Sequence, residues 1–396
     1  MYIKFLTKNK IKVLISAFLS AGICILCYLL NNCPYPYFDK LNLLCWLEYN
    51  ICEYFPEKNK IDDALFINVS YDKQLVSYVY DNGNLNGKID ITDRATLLKF
   101  LEIAKRTDTY KYIFLDIRFE KGTSAPEDTV LFNTISTMRD IVYSKHSDIE
   151  SLELAKTPKA AYNDYYSTII TTNFTRYQFL QNGTETVPLK MYLDIYKSTA
   201  QRNTAKINKK GILYFADGKL CQNSPFVRIG KDFNDIQSED GELPYYDLGP
   251  VLLEMYDDSD WFIEMKDKIV VVGDFVNDLH DTYRGPQPGP YLVYLAFKEL
   301  ESGKHYVSWL FIFVTFILYF VISMFILVNI NLATLFYTPK SRILNFLANL
   351  LGYGTILTVF SIILYIAFKT AFNIFIPSIT FSILSLIVSF KRFNYE

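Results

Sequence analysis

The segments ALFINVS (Ala64–Ser70) and YIFLDI (Tyr112–Ile117) are short runs of mostly apolar residues, rich in β-branched and aromatic side chains. This pattern is typical of strands buried on both faces. Between them lie a turn-rich stretch, Asp81–Asp90, with two Asn-Gly pairs, and an amphipathic helix that Thr92 or Asp93 can cap. A strand, a helix and a second strand in this order predict parallel pairing with a right-handed crossover.

The same alternation of strands and helices continues outward from this unit. The further predicted elements are a helix from Pro126, a strand at Asp140–Ser144, a hairpin at Phe174–Thr186, helices at Pro188–Ser198 and Asp247–Met255, a strand at Lys268–Val272 and a helix at Pro290–Leu300. The sequence therefore predicts an α/β domain over residues 33–304. Its sheet is mostly parallel or mixed, and helices cover both faces.

Apolar segments flank this domain on both sides. Four of them, Val13–Leu30, Tyr306–Val328, Ile343–Phe368 and Ile374–Phe390, contain no charged residue and predict four transmembrane helices in contact with lipid. Pumps and coupled transporters usually carry ionisable groups inside the membrane. The absence of ionisable residues from the four segments therefore argues against a transporter.

Basic residues around these segments predict the orientation in the membrane. The ones that fall on a single side are Lys4, Lys8, Lys10, Lys12, Lys340, Arg342, Lys391 and Arg392. Since cytoplasmic flanks are enriched in lysine and arginine, residues 1–12 and 391–396 are expected in the cytoplasm and residues 33–304 outside it. Only Lys369 lies in the opposite turn.

The cysteines and the charge balance exclude several classes of function. The net charge of −2 gives no basis for nucleic-acid binding. Cys33, Cys45, Cys52 and Cys221 would lie outside the membrane, where disulfides are permitted, and sequence alone leaves their pairing open. No P-loop, GxSxG, HExxH or dinucleotide motif is present, so no enzyme, cofactor or metal is predicted from motifs.

Charged residues at strand ends are the candidate ligand-binding residues. Asp72, Asp116, Arg118, Glu120 and Asp274 all follow predicted strands, and parallel sheets bind ligands beyond the carboxyl ends of their strands. An equally physical interpretation is that these residues cap turns and pair with one another. Asp116 and Arg118 would share a face, which suits an ion pair or ligand capture.

The segment GDFVNDLHD (Gly273–Asp281) is the only cluster with the donor atoms of a metal or general-base site. His280 and Asp281 join Asp274 as candidate ligand-binding residues for this reason. A membrane-anchored, metal-dependent hydrolase is therefore one alternative function. The other interpretation is a polar loop that closes the sheet.

Several segments together resemble a known family. They are INVSYD (Ile67–Asp72), FLDIRFE (Phe114–Glu120), PEDTVLF (Pro126–Phe132), KDKIVVVGDF (Lys266–Phe275) and QPGPYLVYLAF (Gln287–Phe297). Their order, with one membrane helix before and three after, resembles the second type of CHASE domain, an extracellular sensory domain of bacterial receptors.

The resemblance implies a bacterial inner-membrane protein with a periplasmic sensory domain. The sequence departs from the family at Asn82–Asp93, where a Trp-rich turn is replaced, and only Asp72 of the usual paired acids is present. Because no kinase or cyclase precedes the end at Glu396, the expected output is a protein partner, with a homodimer as one possible assembly. The ligand is an unknown small molecule or envelope signal. A structural subunit of an envelope complex is the remaining alternative.

Overall fold

A computed structural model describes residues 9–33, 50, 61–79, 85–166, 173–196, 206–236, 244–257, 264–328, 330, 342–370 and 373–393. The helices are α1 Lys10–Asn31, α2 Arg94–Thr107, α3 Asp128–Thr137, α4 Val187–Ile195, α5 Leu248–Asp257, α6 Gly289–Glu301, α7 Trp309–Leu327, α8 Arg342–Phe368 and α9 Phe375–Phe393. The strands are β1 Ala64–Asn68, β2 Lys73–Val79, β3 Leu85–Thr92, β4 Tyr112–Asp116, β5 Ile141–Lys145, β6 Ala160–Tyr162, β7 Leu180–Gln181, β8 Thr184–Glu185, β9 Asn208–Lys210, β10 Leu213–Ala216, β11 Lys219–Cys221, β12 Tyr246–Asp247, β13 Ile269–Gly273, β14 Leu279–Thr282 and β15 Gly285–Pro288.

The centre of the domain is a six-stranded sheet in the order β12-β1-β13-β4-β5-β6, and every neighbouring pair is parallel. The parallel sheet predicted from the sequence is confirmed. Strand β13 lies between β1 and β4, so the strand of this sheet that comes last in the sequence completes its middle. All five residues of β1 and of β13 are buried, which explains their uninterrupted apolar sequences.

Helices cover both faces of the sheet, as predicted. One face packs Leu65, Ile67 and Val270 against α2, α3 and α5. The other face packs Phe66 and Val271 against α4, α6 and a group of aromatic rings. Phe66 meets the rings of this group edge-on, at centroid distances of 5.3 to 6.1 Å, the geometry that aromatic quadrupoles favour.

Helix α2 begins where the sequence predicts. The side chain of Asp93 accepts hydrogen bonds from the backbone N–H groups of Ala95 and Thr96, both at 2.9 Å. Such a cap satisfies donors that the first helical turn leaves open. The helix ends at Asp108, whose φ of 49° turns the chain into β4.

The turn-rich stretch predicted at Asp81–Asp90 is wrong from Leu85 onward, and residues 81–84 lie outside the described residues. Leu85–Thr92 is a strand, β3, which pairs antiparallel with β2. The Asn-Gly pairs favoured a turn throughout, but after Gly87 the sequence Lys-Ile-Asp-Ile-Thr alternates with period two. That alternation is the signature of a strand with one exposed face.

Three helices of the described chain are long and apolar enough to cross a membrane: Lys10–Asn31, Trp309–Leu327 and Leu347–Phe368. They mark a multi-pass membrane protein. The predicted number of four is not reached, because the apolar part of α9, Phe375–Ser389, is shorter than the ~20 residues that a span requires. Lys4, Lys8 and Lys340, which contributed to the predicted orientation, lie outside the described residues.

The membrane helices and the α/β domain are joined by direct contacts. A shared apolar cluster combines Tyr28 of α1 and Phe311 of α7 with Leu220 of the small sheet formed by β9, β10 and β11. The hydroxyl of Tyr28 donates to the carbonyl oxygen of Cys221 at 2.8 Å and accepts from the backbone N–H of Tyr214 at 3.0 Å.

Two of the cysteines predicted outside the membrane, Cys33 and Cys221, have free thiols, and Cys221 is fully buried. The predicted bridge candidates Cys45 and Cys52 lie outside the described residues.

Candidate functional site

A cavity of about 760 Å³ opens at the carboxyl ends of the parallel strands. Five of the predicted site residues, Asp116, Arg118, Glu120, Asp274 and His280, line it. Because parallel strands end on one side of a sheet, residues far apart in the sequence meet there. The crevice inferred from the sequence is therefore present, and most of the predicted residues belong to it.

Asp116 forms the floor of the cavity at the end of β4. Its Oδ1 accepts hydrogen bonds from Ser144 Oγ at 2.7 Å and from Asn163 Nδ2 at 2.9 Å. Asn163 is itself held by the hydroxyl of Tyr177, which donates to Asn163 Oδ1 at 2.6 Å. Burial, and next the negative charge of Asp278, raise the pKa of Asp116 above its usual value despite these hydrogen bonds.

His146 and Asp164 form a pair on the wall of the cavity beyond β5 and β6. His146 Nδ1 lies 3.4 Å from Asp164 Oδ1, and both side chains are largely buried. Burial alone would lower the pKa of His146, but the contact with Asp164 and the charge of Asp116 outweigh it and raise that pKa above 6.5. For Asp164, burial is outweighed by hydrogen bonds from His146, Gln181 and Ser147, which lower its pKa to about 2.

A second histidine–carboxylate pair faces the first helical turn of α6. His280 Nε2 lies 3.4 Å from Asp278 Oδ1, and the ring of His280 meets the ring of Tyr165 edge-on at 5.1 Å. Gly289, the first residue of α6, packs directly against this pair. A β-carbon at Gly289 would overlap the carboxylate of Asp278 and lie 3.0 Å from His280 Nε2.

Asp274 lies at the rim of the cavity but is engaged in closing a turn. Its Oδ1 accepts from the backbone N–H of Asn277 at 2.7 Å and contacts the hydroxyl of Ser70, while Lys73 Nζ lies 3.5 Å from Oδ2. Burial would raise the pKa of Asp274, but these hydrogen bonds outweigh it and lower that pKa. The turn-capping interpretation therefore describes this residue.

Two predicted site residues lie elsewhere. The side chain of Asp72 lies beside Gly249, which belongs to the first turn of α5, and accepts a hydrogen bond from the backbone N–H of Gly249. Asp281 is exposed on β14 and does not line the cavity. The spacing of Asp116 and Arg118 had suited an ion pair between them, but the two side chains do not pair. Arg118 extends toward Glu120, at 4.0 Å, and its side chain is 62% exposed.

Sequence reasoning missed Ser144, His146, Asn163 and Asp164. His146 follows β5 by a single residue, so the rule that identified Asp116 applied to it also. Asn163 and Asp164 follow β6, which has only three residues and gives little signal in the sequence.

The lining of the cavity carries more carboxylates than cations. The cations are Lys73 and Arg118, and the carboxylates are Asp90, Asp116, Glu120, Asp148, Asp164, Asp274 and Asp278.

The loop with metal-ligand potential does not gather its donors. Asp278 and His280 lie together, but Asp274 is committed to its turn and Asp281 is outside the cavity. Within the described ranges, no group of three or more His, Cys, Asp or Glu side chains could hold a metal ion.

In comparisons with known proteins, the chain matches no family model, no curated protein and no solved structure. The resemblance to the second type of CHASE domain thus stays a prediction from the sequence. The function has to be argued from the cavity and from its connection to the membrane helices.

Proposed function

We propose that this chain is a bacterial inner-membrane sensor. Its extracytoplasmic α/β domain binds a small ligand in the cavity above β4 and β13, and its membrane helices pass the change to a protein partner. This proposal includes α9 as a fourth span, both termini in the cytoplasm and residues 33–304 in the periplasm. The resemblance in sequence supports the sensory role, and the basic flanks support the orientation.

The observation that carries the proposal is helix α6, which runs from the cavity to the membrane helices. Its first turns contribute Gly289, Leu292 and Val293 to the cavity lining. Near its other end, Glu299 binds Arg228 Nη1 at 2.8 Å, with 4% and 14% of the two side chains exposed. A displacement at the cavity therefore reaches the far end of a rigid helix.

Arg228 connects that end of α6 to the membrane helices. Its Nη2 donates to the carbonyl oxygen of Lys369 at 2.7 Å, and its Nε donates to the hydroxyl of Tyr365 at 3.3 Å. Tyr365 lies in the last turn of α8, and Lys369 directly follows its last residue, Phe368. One arginine thus joins a buried carboxylate of the α/β domain to the end of α8.

The lining of the cavity favours a polar ligand that carries positive charge. The negative charge of Asp278 is close enough to raise the pKa of Asp116, and carboxylates outnumber cations on the walls. A bound cation would relieve this repulsion. Binding should then weaken as salt concentration rises, because a partly open cavity is screened by ions.

A thermal-shift screen of the intact protein in lipid nanodiscs tests the proposal. Amines, amino acids and zwitterions are added singly, and a ligand is accepted when it raises the melting temperature of the wild type but not of Asp116→Asn. Asp281→Asn is the matched control, since Asp281 is outside the cavity. A compound that shifts all three proteins equally does not bind in this cavity.

The partner is tested separately by affinity purification from native membranes with and without the accepted ligand. A stoichiometric partner whose recovery changes with ligand supports the sensor. A partner that is recovered equally in both cases would instead favour the structural-subunit alternative. A reporter fused in the segment 197–205 checks the orientation, and activity of that reporter in the cytosol would contradict the proposal.

A further inference from the structure

The outer edge of strand β3 is exposed and unpaired within the described part of the chain. The hairpin of β2 and β3 forms a sheet of two strands only. Lys88, Ile89 and Asp90 are all exposed on β3. Among the described residues, neither Lys88 nor Asp90 has an ion-pair partner. An edge of this kind can accept another strand.

The register of the hairpin determines which backbone groups point outward. The last residue pair at this end of the hairpin is Lys73 with Thr92. In the next pair along, the N–H of Asp93 donates to the carbonyl oxygen of Asp72 at 2.9 Å. In an antiparallel pair, hydrogen-bonded and non-hydrogen-bonded positions alternate. The N–H and C=O groups of Thr92 therefore point away from β2, and by the same alternation so do those of Asp90 and Lys88.

We propose that β3 pairs antiparallel with β3 of a second copy of this chain, about a two-fold axis at Ile89. Lys88 then lies opposite the partner's Asp90, and Asp90 lies opposite the partner's Lys88. Each pair can exchange two backbone hydrogen bonds and form one ion pair. The two-fold symmetry produces each of these interactions twice.

Charge selects this register over its neighbours. An axis at Lys88 would put two lysines opposite each other, and an axis at Asp90 would do the same with two aspartates. Like charges directly opposite on paired strands are destabilising, whereas opposite charges stabilise. The two charged residues flank Ile89 symmetrically, so the strand is complementary to itself in only one of these three alignments.

The surroundings of the strand fit two copies in one membrane. The hairpin follows the carboxyl end of β1, at the side of the sheet where α6 begins, whereas the membrane helices follow the other end of α6. Helix α6, with about 1.5 Å per residue, holds that side roughly 20 Å from the membrane helices. Confinement to one membrane raises the effective concentration of a pairing that is small in area.

Exposed apolar residues extend the same surface. Leu75, Val79 and Leu85 are 65%, 38% and 71% exposed, and each lies on the same face of the hairpin as Lys88 or Asp90. Pairing would turn two hairpins into a four-stranded sheet that carries this apolar face on both halves. Ile89 and Asp90 also line the cavity, but the pairing requires no ligand, because it depends only on β3.

A cysteine on the proposed axis gives a direct test. Ile89→Cys places two thiols at a non-hydrogen-bonded position, where Cα atoms are about 4.5 Å apart, within the range of a disulfide. We expect a disulfide dimer of the full chain in native membranes after mild oxidation. Ser77→Cys is the control, since it is exposed on β2 and its two copies would lie about three strand spacings, or ~14 Å, apart.

Charge exchange in the Ile89→Cys background tests the register. Lys88→Asp and Asp90→Lys should each lower the yield of crosslinked dimer several-fold, and the double exchange should restore it. The wild type measures the background from native cysteines, and gel filtration checks that each variant is folded. Equal yields for Ile89→Cys and Ser77→Cys, or no recovery in the double exchange, would overturn the proposal. Pairing of β3 with a different protein would appear as a heterodimer and would overturn it as well.

Discussion

Gly289 shows how a single missing side chain permits the candidate site. It begins α6 directly against the carboxylate of Asp278 and the ring of His280. Gly289→Ala would displace these groups, and because both are the ends of partly exposed side chains, they can move at a small cost in stability. We expect a melting temperature close to that of the wild type and the loss of any ligand response, measured by thermal unfolding in nanodiscs.

The control for this change is Gly230→Ala. No heavy atom lies within 4 Å of the β-carbon position at Gly230, and its φ is not in the left-handed region. The control should melt like the wild type. If Gly289→Ala also melted like the wild type and kept its ligand response, the close packing of α6 on the site would be disproved.

The pair of His146 and Asp164 predicts a defined dependence of stability on pH. The pKa of His146 is raised in the folded state, so its contribution is complete below about 6.5 and is lost as the pH rises through the folded value. The pKa of Asp164 is lowered to about 2, so its contribution is present above about 3.8 and is lost as the pH falls toward 2. The pair stabilises most between these limits.

His146→Gln should therefore lower the melting temperature more at pH 5.5 than at pH 8.5. Thermal unfolding of the two proteins at both pH values measures the difference. Asp281→Asn serves as the reference, since Asp281 is exposed and outside the cavity. An equal loss at both pH values would mean that protonated His146 does not stabilise the fold.

At the scale of elements, the end of the first membrane helix is hydrogen-bonded to the domain at several points. Asn31 O accepts from Arg176 Nη1 at 2.9 Å, and Asn32 Oδ1 accepts from the backbone N–H of Asn223 at 2.6 Å. Tyr28 of α1 bonds both the carbonyl of Cys221 and the N–H of Tyr214 in the small sheet. Tyr28→Phe leaves two backbone groups without this partner, at a cost of about 1–3 kcal/mol. We expect faster proteolysis between α1 and the domain and a lower melting temperature, measured on membranes and on purified protein.

Tyr71→Phe is the matched control, because Tyr71 is 69% exposed. It should leave both measurements unchanged. A Tyr28→Phe protein indistinguishable from this control would show that the other contacts of α1 with the domain, including those of Asn31 and Asn32, hold it in place without this hydroxyl.

Element boundaries were predictable where two signals agreed. Asp93 was foreseen as a cap because a good capping residue came directly before an apolar helical pattern. Strand β3 was missed because Asn-Gly pairs and period-two alternation overlap in a few residues. The short strand β6 was missed because three residues, only one of them fully buried, carry almost no pattern.

At the scale of the whole molecule, the salt bridge between Glu299 and Arg228 connects α6 of the α/β domain with the end of α8. Glu299→Ala would remove the carboxylate from Arg228, which keeps its hydrogen bonds to Lys369 and Tyr365, and loss of a hydrogen bond between charged groups costs about 1.5–3 kcal/mol. We expect lower stability together with increased hydrogen exchange at residues 365–370, which include the end of α8. Mass spectrometry of the exchanged protein localises the effect.

Glu153→Ala is a suitable control, since Glu153 also forms an ion pair, with Lys156 at 2.7 Å, but its side chain is 86% exposed. Exposed pairs contribute little because water screens them, so this change should alter neither measurement. Exchange at the end of α8 that stayed at the wild-type level in Glu299→Ala would contradict the proposed path from the cavity to the membrane.

The sequence by itself determined the parallel α/β class, the membrane-protein class and five of the residues that line the cavity. Each of these follows from local pattern: runs of apolar residues define buried strands and spans, and parallel strands must end on one side. Only the tertiary structure decided that β13 inserts between β1 and β4, and that Asp72 and Asp281 fall away from the cavity while His146, Asn163 and Asp164 enter it. Sheet order and side-chain neighbours depend on contacts between distant segments, and the sequence pattern of one segment does not encode which other segment will lie beside it.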